Sequence, residues 1–244
     1  MAINVNTVYQ KVLALANKEQ RGYITPQDFN LFANQAQMEI FEQYFYDTNI
    51  ARKSQGNDTV YADIDDILEE KIQIFEKSDG PVQINDPNIY AGAGGGGINK
   101  KLPSNVYRAH RIEVNGKGCE ILNTKDFNDC REGGPLTRPS DSRPIANIRG
   151  NIIRCVGSNN TSITPSGFIY FRKPEKVNWT YVVINKQAMY DANPSTQDFE
   201  LHSSEENQLV NKILMLAGLA NQQPDIMKAG QGMDMATKQQ QPKI

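Results

Sequence analysis

Ser203-Ser204-Glu205-Glu206-Asn207-Gln208-Leu209-Val210-Asn211-Lys212-Ile213-Leu214-Met215-Leu216-Ala217 is the stretch on which the fold turns. Ser203-Ser204-Glu205-Glu206 reads as a capping box, and Leu209, Val210, Ile213, Leu214, Leu216 and Ala217 follow as one apolar helical face. An isolated helix of about 16 residues is marginal in water, so that face must be buried against something. The matching apolar stripes lie at the opposite end of the chain. Val5, Val8, Val12, Leu13 and Ala16 form the first, with Gly22 placed to stop it in the left-handed conformation. Thr25-Pro26-Gln27-Asp28 restarts a helix, supplying a cap, a first-position proline and an acid at the positive dipole end. Phe29, Ala33, Ala36, Ile40 and Tyr44 continue it, widened by Phe32, Phe41 and Phe45. A third helix is expected from Asp63, with Asp65 and Asp66 in its first turn and Ile64, Ile67, Leu68, Lys71 and Phe75 as its stripe. Gly80-Pro81 would end it.

Between these ends the period changes. Val106 to Val114, Asn115-Gly116 and Lys117 to Leu122 predict a hairpin, because Asn-Gly accepts the positive φ of a type I′ turn. Ile145 to Ile148, Arg149-Gly150-Asn151 and Ile152 to Val156 predict a second. Phe168 to Arg172 and Trp179 to Ile184 read as two more strands joined through Lys173-Pro174. The expected class is α+β: a discontinuous helical domain from both chain ends, an inserted all-β module and a polar C-terminal tail. The segments are 1–80 (helical), 81–194 (β module), 195–221 (returning helix) and 222–244 (tail). The tail carries a weak stripe of Ile226, Met227 and Met233. Gly230 and Gly232 each cost a helix about 1 kcal/mol relative to Ala, so a partner is expected to order it.

The 244 residues hold 26 Lys and Arg against 28 Asp and Glu, a net charge of −2. That balance argues against a basic nucleic-acid binder or a protein of anionic membranes. No window approaches the ~20 apolar residues of a membrane span, and Met1 to Ala16 does not read as a signal peptide. Cys119, Cys130 and Cys155 are odd in number and lack CxxC spacing, which suits reduced thiols of a cytoplasm. The sequons Asn57-Asp58-Thr59 and Asn178-Trp179-Thr180 are then ordinary loop and strand sequence. Histidines number two, and Asn plus Gln reach 42 of 244.

Chemistry is scarce. The run Ala91-Gly92-Ala93-Gly94-Gly95-Gly96-Gly97 lacks the Lys-Ser/Thr and helix of a phosphate loop and reads as a surface loop. Cys130 or Cys119 with His110 would be a cysteine nucleophile and its base, but His110 falls in a strand with nothing local to orient it. His202 fits a helix cap. Neither HExxH nor paired CxxC occurs, and the acids at Asp63, Asp65, Asp66, Glu69 and Glu70 lack calcium-loop spacing. No catalytic, cofactor or metal residues are therefore expected. Trp179 with nearby tyrosines could face a carbohydrate, though one strand Trp reads better as core. Arg131, Arg138, Arg143, Arg149 and Arg154 crowd one part of the β module, as either a solvated sheet face or a polyanion-facing patch. What remains is contact surface: Phe32, Phe41, Tyr44, Phe45, Leu209, Ile213, Leu216, Ile226, Met227 and Met233 are the residues expected to meet partners, with a thick intramolecular core as the other reading of the aromatics between Phe32 and Tyr46.

Ala2-Ile3-Asn4-Val5, the run Gln20-Arg21-Gly22-Tyr23-Ile24-Thr25-Pro26-Gln27-Asp28-Phe29-Asn30 and Asp66-Ile67-Leu68-Glu69-Glu70-Lys71 together resemble virion neck proteins of tailed bacteriophages. So do Leu102-Pro103-Ser104-Asn105-Val106-Tyr107-Arg108 and Glu205-Glu206-Asn207 through Leu219. The likeness is to head-to-tail adaptors, above all the ring protein beneath the portal in crAss-like phages. It implies a non-enzymatic subunit in a homo-oligomeric ring, usually of twelve copies. It further implies docking on the portal protein, a contact with the next neck or tail ring, and passage of genomic DNA without sequence-specific binding or any membrane. Such a protein is assembled in the bacterial cytoplasm and resides in the virion. The alternatives are a tail or fibre-base structural protein and, from another class, a hydrolase built on Cys130 and His110.

Overall fold

The computed structural model describes residues 2–18, 24–53, 59–79, 89–91, 98–150, 152–163, 165–185, 187–220, 228, 230–232 and 235. It is a mixed α/β protein in two compact units, one of residues 1–74 with 174–244 and the other of residues 75–173. The expected stops and loops at Gly22, Asn57, Gly80-Pro81 and Gly92 to Gly97 lie outside the described residues, as do Ile226, Met227 and Met233.

The first unit contains α1 (Val5–Lys18), α2 (Pro26–Lys53), α3 (Thr59–Gln73) and α5 (Glu206–Ala220). Val5, Val8, Val12 and Ala16 of α1 are buried, as are Phe29, Ala33, Ala36, Ile40 and Tyr44 of α2. Both packing helices meet α5, whose Leu209, Val210, Ile213, Leu214, Leu216 and Ala217 are buried in turn. Thr25 caps α2 reciprocally: its Oγ1 accepts from Asp28 N at 3.2 Å and donates to Asp28 Oδ2 at 2.6 Å. The chain ends are also stitched by a two-way backbone bridge between Ile3 and Phe199, both bonds 3.1 Å.

Helix α3 starts at Thr59, four residues before the expected Asp63, so the acids sit in its body rather than its first turn. Leu68 and Ile72 are its buried pair, one turn apart, while Ile67 is 53% exposed. Lys71 reaches Glu205 Oε1 at 2.5 Å, so Glu205 serves a buried ion pair. The cap is instead His202, at the start of the 3-10 turn Ser203–Glu205 that leads into α5, and its Nδ1 accepts from Ser204 N at 3.3 Å. Tyr44 lies under Lys71, and its buried hydroxyl has no hydrogen-bond partner among the described residues.

Burial first, and then the Glu205 charge, raise the Tyr44 phenol above its ordinary value. A raised phenol stays neutral in the folded chain while the unfolded chain ionises near pH 10. The resulting stability is complete below that pH and is lost as pH rises beyond it. Tyr44→Phe should therefore flatten the alkaline fall of the melting temperature while costing little at pH 7, because no hydrogen bond is broken.

A ladder of amides fastens an extended segment to α2. Asn30 Oδ1 accepts from Trp179 N at 2.8 Å and its Nδ2 donates to Trp179 O at 3.2 Å. Asn34 does the same for Val177, at 2.8 and 2.9 Å, and Gln37 Nε2 donates to Glu175 O at 2.8 Å. The match is geometric: four helical residues rise about 6.0 Å and two extended residues about 6.6 Å, so alternate backbone groups face successive turns. Side-chain amides here do what a neighbouring strand does in a sheet. Asn34→Asp, which sets a carboxylate oxygen against Val177 O, should cost about 1–3 kcal/mol, read as a lowered urea midpoint.

The second unit is built on one sheet, ordered β1 (Glu76–Asp79), β9 (Gly167–Arg172), β4 (Val106–Val114), β5 (Lys117–Leu122), β6 (Ile145–Arg149), β7 (Ile152–Val156), β3 (Ile98–Lys101) and β2 (Ile89–Ala91). The short β8 (Ser162–Ile163) pairs with β7. The β4–β5 turn has φ of 50° at Asn115 and 75° at Gly116, the pair of positive values that Asn-Gly tolerates. Ile112, Val114, Cys119, Ala146, Ile153, Cys155, Phe168 and Tyr170 form its main core.

The module is not all-β. Strands β5 and β6 are parallel, and α4 (Thr124–Glu132) makes the crossover between them. Asn123 caps that helix by accepting from Asp126 N at 2.8 Å, and Phe127 and Cys130 pack on Ile145 and Val156. Its boundaries also differ from 81–194. β1 replaces the expected helical end at residues 76–79, and residues 174–194 fall in the first unit. There β10 (Tyr181–Ile184) pairs antiparallel with β11 (Gln187–Tyr190). In the tail, Gly230 is buried where a Cβ would stand 3.0 Å from Met215 N, so its bareness permits close approach to α5.

Candidate interaction surface

The β10–β11 hairpin has no further strand on either edge among the described residues. Its base is aromatic and fixed. Trp179, just before β10, stacks with Tyr181 at 5.6 Å and Tyr190 at 6.0 Å, and its other side meets Tyr9 at 4.0 Å. Trp179 Nε1 donates to Asn6 Oδ1 at 3.2 Å, and Thr180 exchanges hydrogen bonds with Asp191. Trp179 is thus buried core and presents no face to a sugar.

Beyond that base the apolar side chains are bare. Val182 pairs with Met189 and Ile184 with Gln187 on one face, while Val183 pairs with Ala188 on the other. Val182, Val183, Ile184 and Met189 are 46%, 63%, 50% and 53% exposed. A lone two-stranded hairpin is marginal in water, and this one leaves apolar residues exposed on both faces.

The residues expected to meet partners divide differently. Phe41, Tyr44, Leu209, Ile213 and Leu216 are buried inside this chain's own unit, where α2 packs on α5, so they are unavailable to a second molecule. The aromatic excess of α2 is core that the returning helix covers. Phe32 and Phe45 are half-buried, and Leu31 and Tyr46 beside them are exposed. The hairpin was missed because Val182 to Ile184 reads as a buried strand, and nothing in the residues tells a bare apolar run from a covered one.

No protein-family model matches this sequence, and no curated protein does so either. The chemistry of the site must therefore speak for itself. Cys130 packs on the Phe127 cluster, and His110, at a bulge in β4, faces the ring of Phe171 at 5.2 Å. Among the described residues no hydrogen bond joins His110 to a cysteine. Cys119 and Cys155 are buried neighbours sharing a hydrogen bond, which lowers the first thiol and raises the second. Among the described residues no group of three or more His, Cys, Asp and Glu could hold a metal ion. No helix among them is long and apolar enough to cross a membrane.

Proposed function

We propose that this chain is a structural subunit of a tailed-phage neck, forming a homo-oligomeric ring that joins the portal to the tail and conducts the genome. In this reading the helical unit from both chain ends is the ring body, and the inserted unit meets the next neck or tail component. The observation that carries it is the β10–β11 hairpin: four exposed apolar side chains on a stapled base, with no further strand on either edge among the described residues. A subunit packed against copies of itself removes that surface from water at about 25 cal/mol per Å².

Mass and symmetry in solution, alone and with the portal protein, test the reading. A closed ring formed with portal is the expected result. A monomer indifferent to portal overturns it. Val182→Ser with Met189→Ser should leave a folded monomer that no longer closes the ring, since both side chains face solvent in the free chain.

A further inference from the structure

The five arginines between residues 131 and 154 do not share one environment. Arg143 pairs with Glu120 at 3.0 Å, and Arg138 Nε donates to Gly133 O at 2.9 Å. Arg131, Arg149 and Arg154 have no carboxylate within ion-pair distance among the described residues. The β6–β7 register sets Asn147 opposite Arg154 and Arg149 opposite Ile152, on the face that also carries Ile145 and Val156. Helix α4 covers the Ile145 end through Phe127 and leaves the rest open. The result is a cleft of about 160 Å³ lined by Thr124, Phe127, Asn128, Asn147, Arg149, Ile152 and Arg154.

Two features mark it as a site for negative charge. The guanidinium groups of Arg131 and Arg154 each lie 5.9 Å from the Phe127 ring, so one aromatic side chain gathers two like charges. The cleft opens where β5 and β6 end and α4 begins, the side of a parallel β–α–β unit toward which the helix dipole is positive. The acids of α4 do not line it, and Asp126 is held by Asn123 Nδ2 at 2.6 Å. The surrounding unit is basic as well: residues 75–173 hold 14 Lys and Arg against 9 Asp and Glu, while the rest of the chain holds 12 against 19.

We propose that this cleft binds a phosphate group, gripped by Arg149 and Arg154 with Thr124 and Asn128 as neutral donors and Arg131 adding charge from behind Phe127. Arginine suits the task because its planar fork matches two phosphate oxygens at once.

Calorimetric titration of the full chain in chloride buffer tests this, using inorganic phosphate in one arm and a short DNA duplex in the other. Binding in either arm should weaken at least tenfold in the Arg149→Gln, Arg154→Gln double variant and remain unchanged in Arg143→Gln. Both altered side chains are exposed, and a melting curve checks that the double variant is folded. Phosphate binding alone assigns a free phosphate or small ester as the source. Duplex binding whose salt slope falls by about one per arginine removed assigns the nucleic-acid backbone. No binding in either arm, or equal binding by the double variant, overturns the proposal.

Discussion

Trp179→Ala is expected to lower the stability of the helical unit by about 4 kcal/mol, within the ~3–5 kcal/mol usual for truncating a buried aromatic. The ring is 2% exposed and touches Tyr9, Tyr181 and Tyr190 at once. Its loss empties the joint between α1 and the base of the hairpin and leaves Asn6 Oδ1 without its donor. Urea unfolding followed by far-ultraviolet circular dichroism measures the effect. Trp179→Phe, which keeps most of the ring and gives up only the indole N–H, should recover more than half of it. A midpoint unchanged in the Ala variant would mean that the hairpin base is not fastened as described.

The second large effect is expected at Lys71 and Glu205. Their side chains are 16% and 5% exposed, and the bond between them ties α3 to the start of α5. Glu205→Gln strands the Lys71 ammonium in a poorly hydrated place, at a cost of about 3 kcal/mol. Replacing both, with Lys71→Met and Glu205→Leu, should recover most of that loss, because no charge is then left alone. Trp179 is the only tryptophan in the chain and lies in the same unit, so its fluorescence reads this unit directly. If the single variant proved as stable as the parent, water would have to reach Lys71.

The parts legible from residues alone are those governed by local rules. Thr25-Pro26-Gln27-Asp28 began a helix because capping is decided within one turn, and Asn115-Gly116 turned a hairpin because only such pairs accept two positive φ angles. Helix α4 was overlooked although Asn123 caps it and Phe127 and Cys130 share its inner face. At nine residues it is too short for a stripe to declare itself. Nothing in the residues marked Gln187–Tyr190 as a strand, so the partner of β10 stayed open. Burial was the hardest to foresee. Phe41 and Tyr44 looked superfluous on α2 until α5, more than 150 residues later, was laid over them. The abundance of Asn and Gln had no visible purpose in the sequence, because the backbone groups served by Asn30, Asn34 and Gln37 are some 140 residues away.

Strand β1 opens the inserted unit and β9 closes it, and the two are hydrogen-bonded neighbours, with Arg172 N donating to Phe75 O at 2.9 Å. This sets an order of events during folding. To bring α1 and α2 onto α5 while residues 75–173 are still a flexible loop costs about 4 kcal/mol in closure entropy. Once β1 and β9 have paired, the loop is effectively a few residues long and most of that cost is gone. The inserted unit therefore acts as a clasp for the helices, and weakening the β1–β9 ladder should slow assembly of the helical unit without touching any of its own contacts.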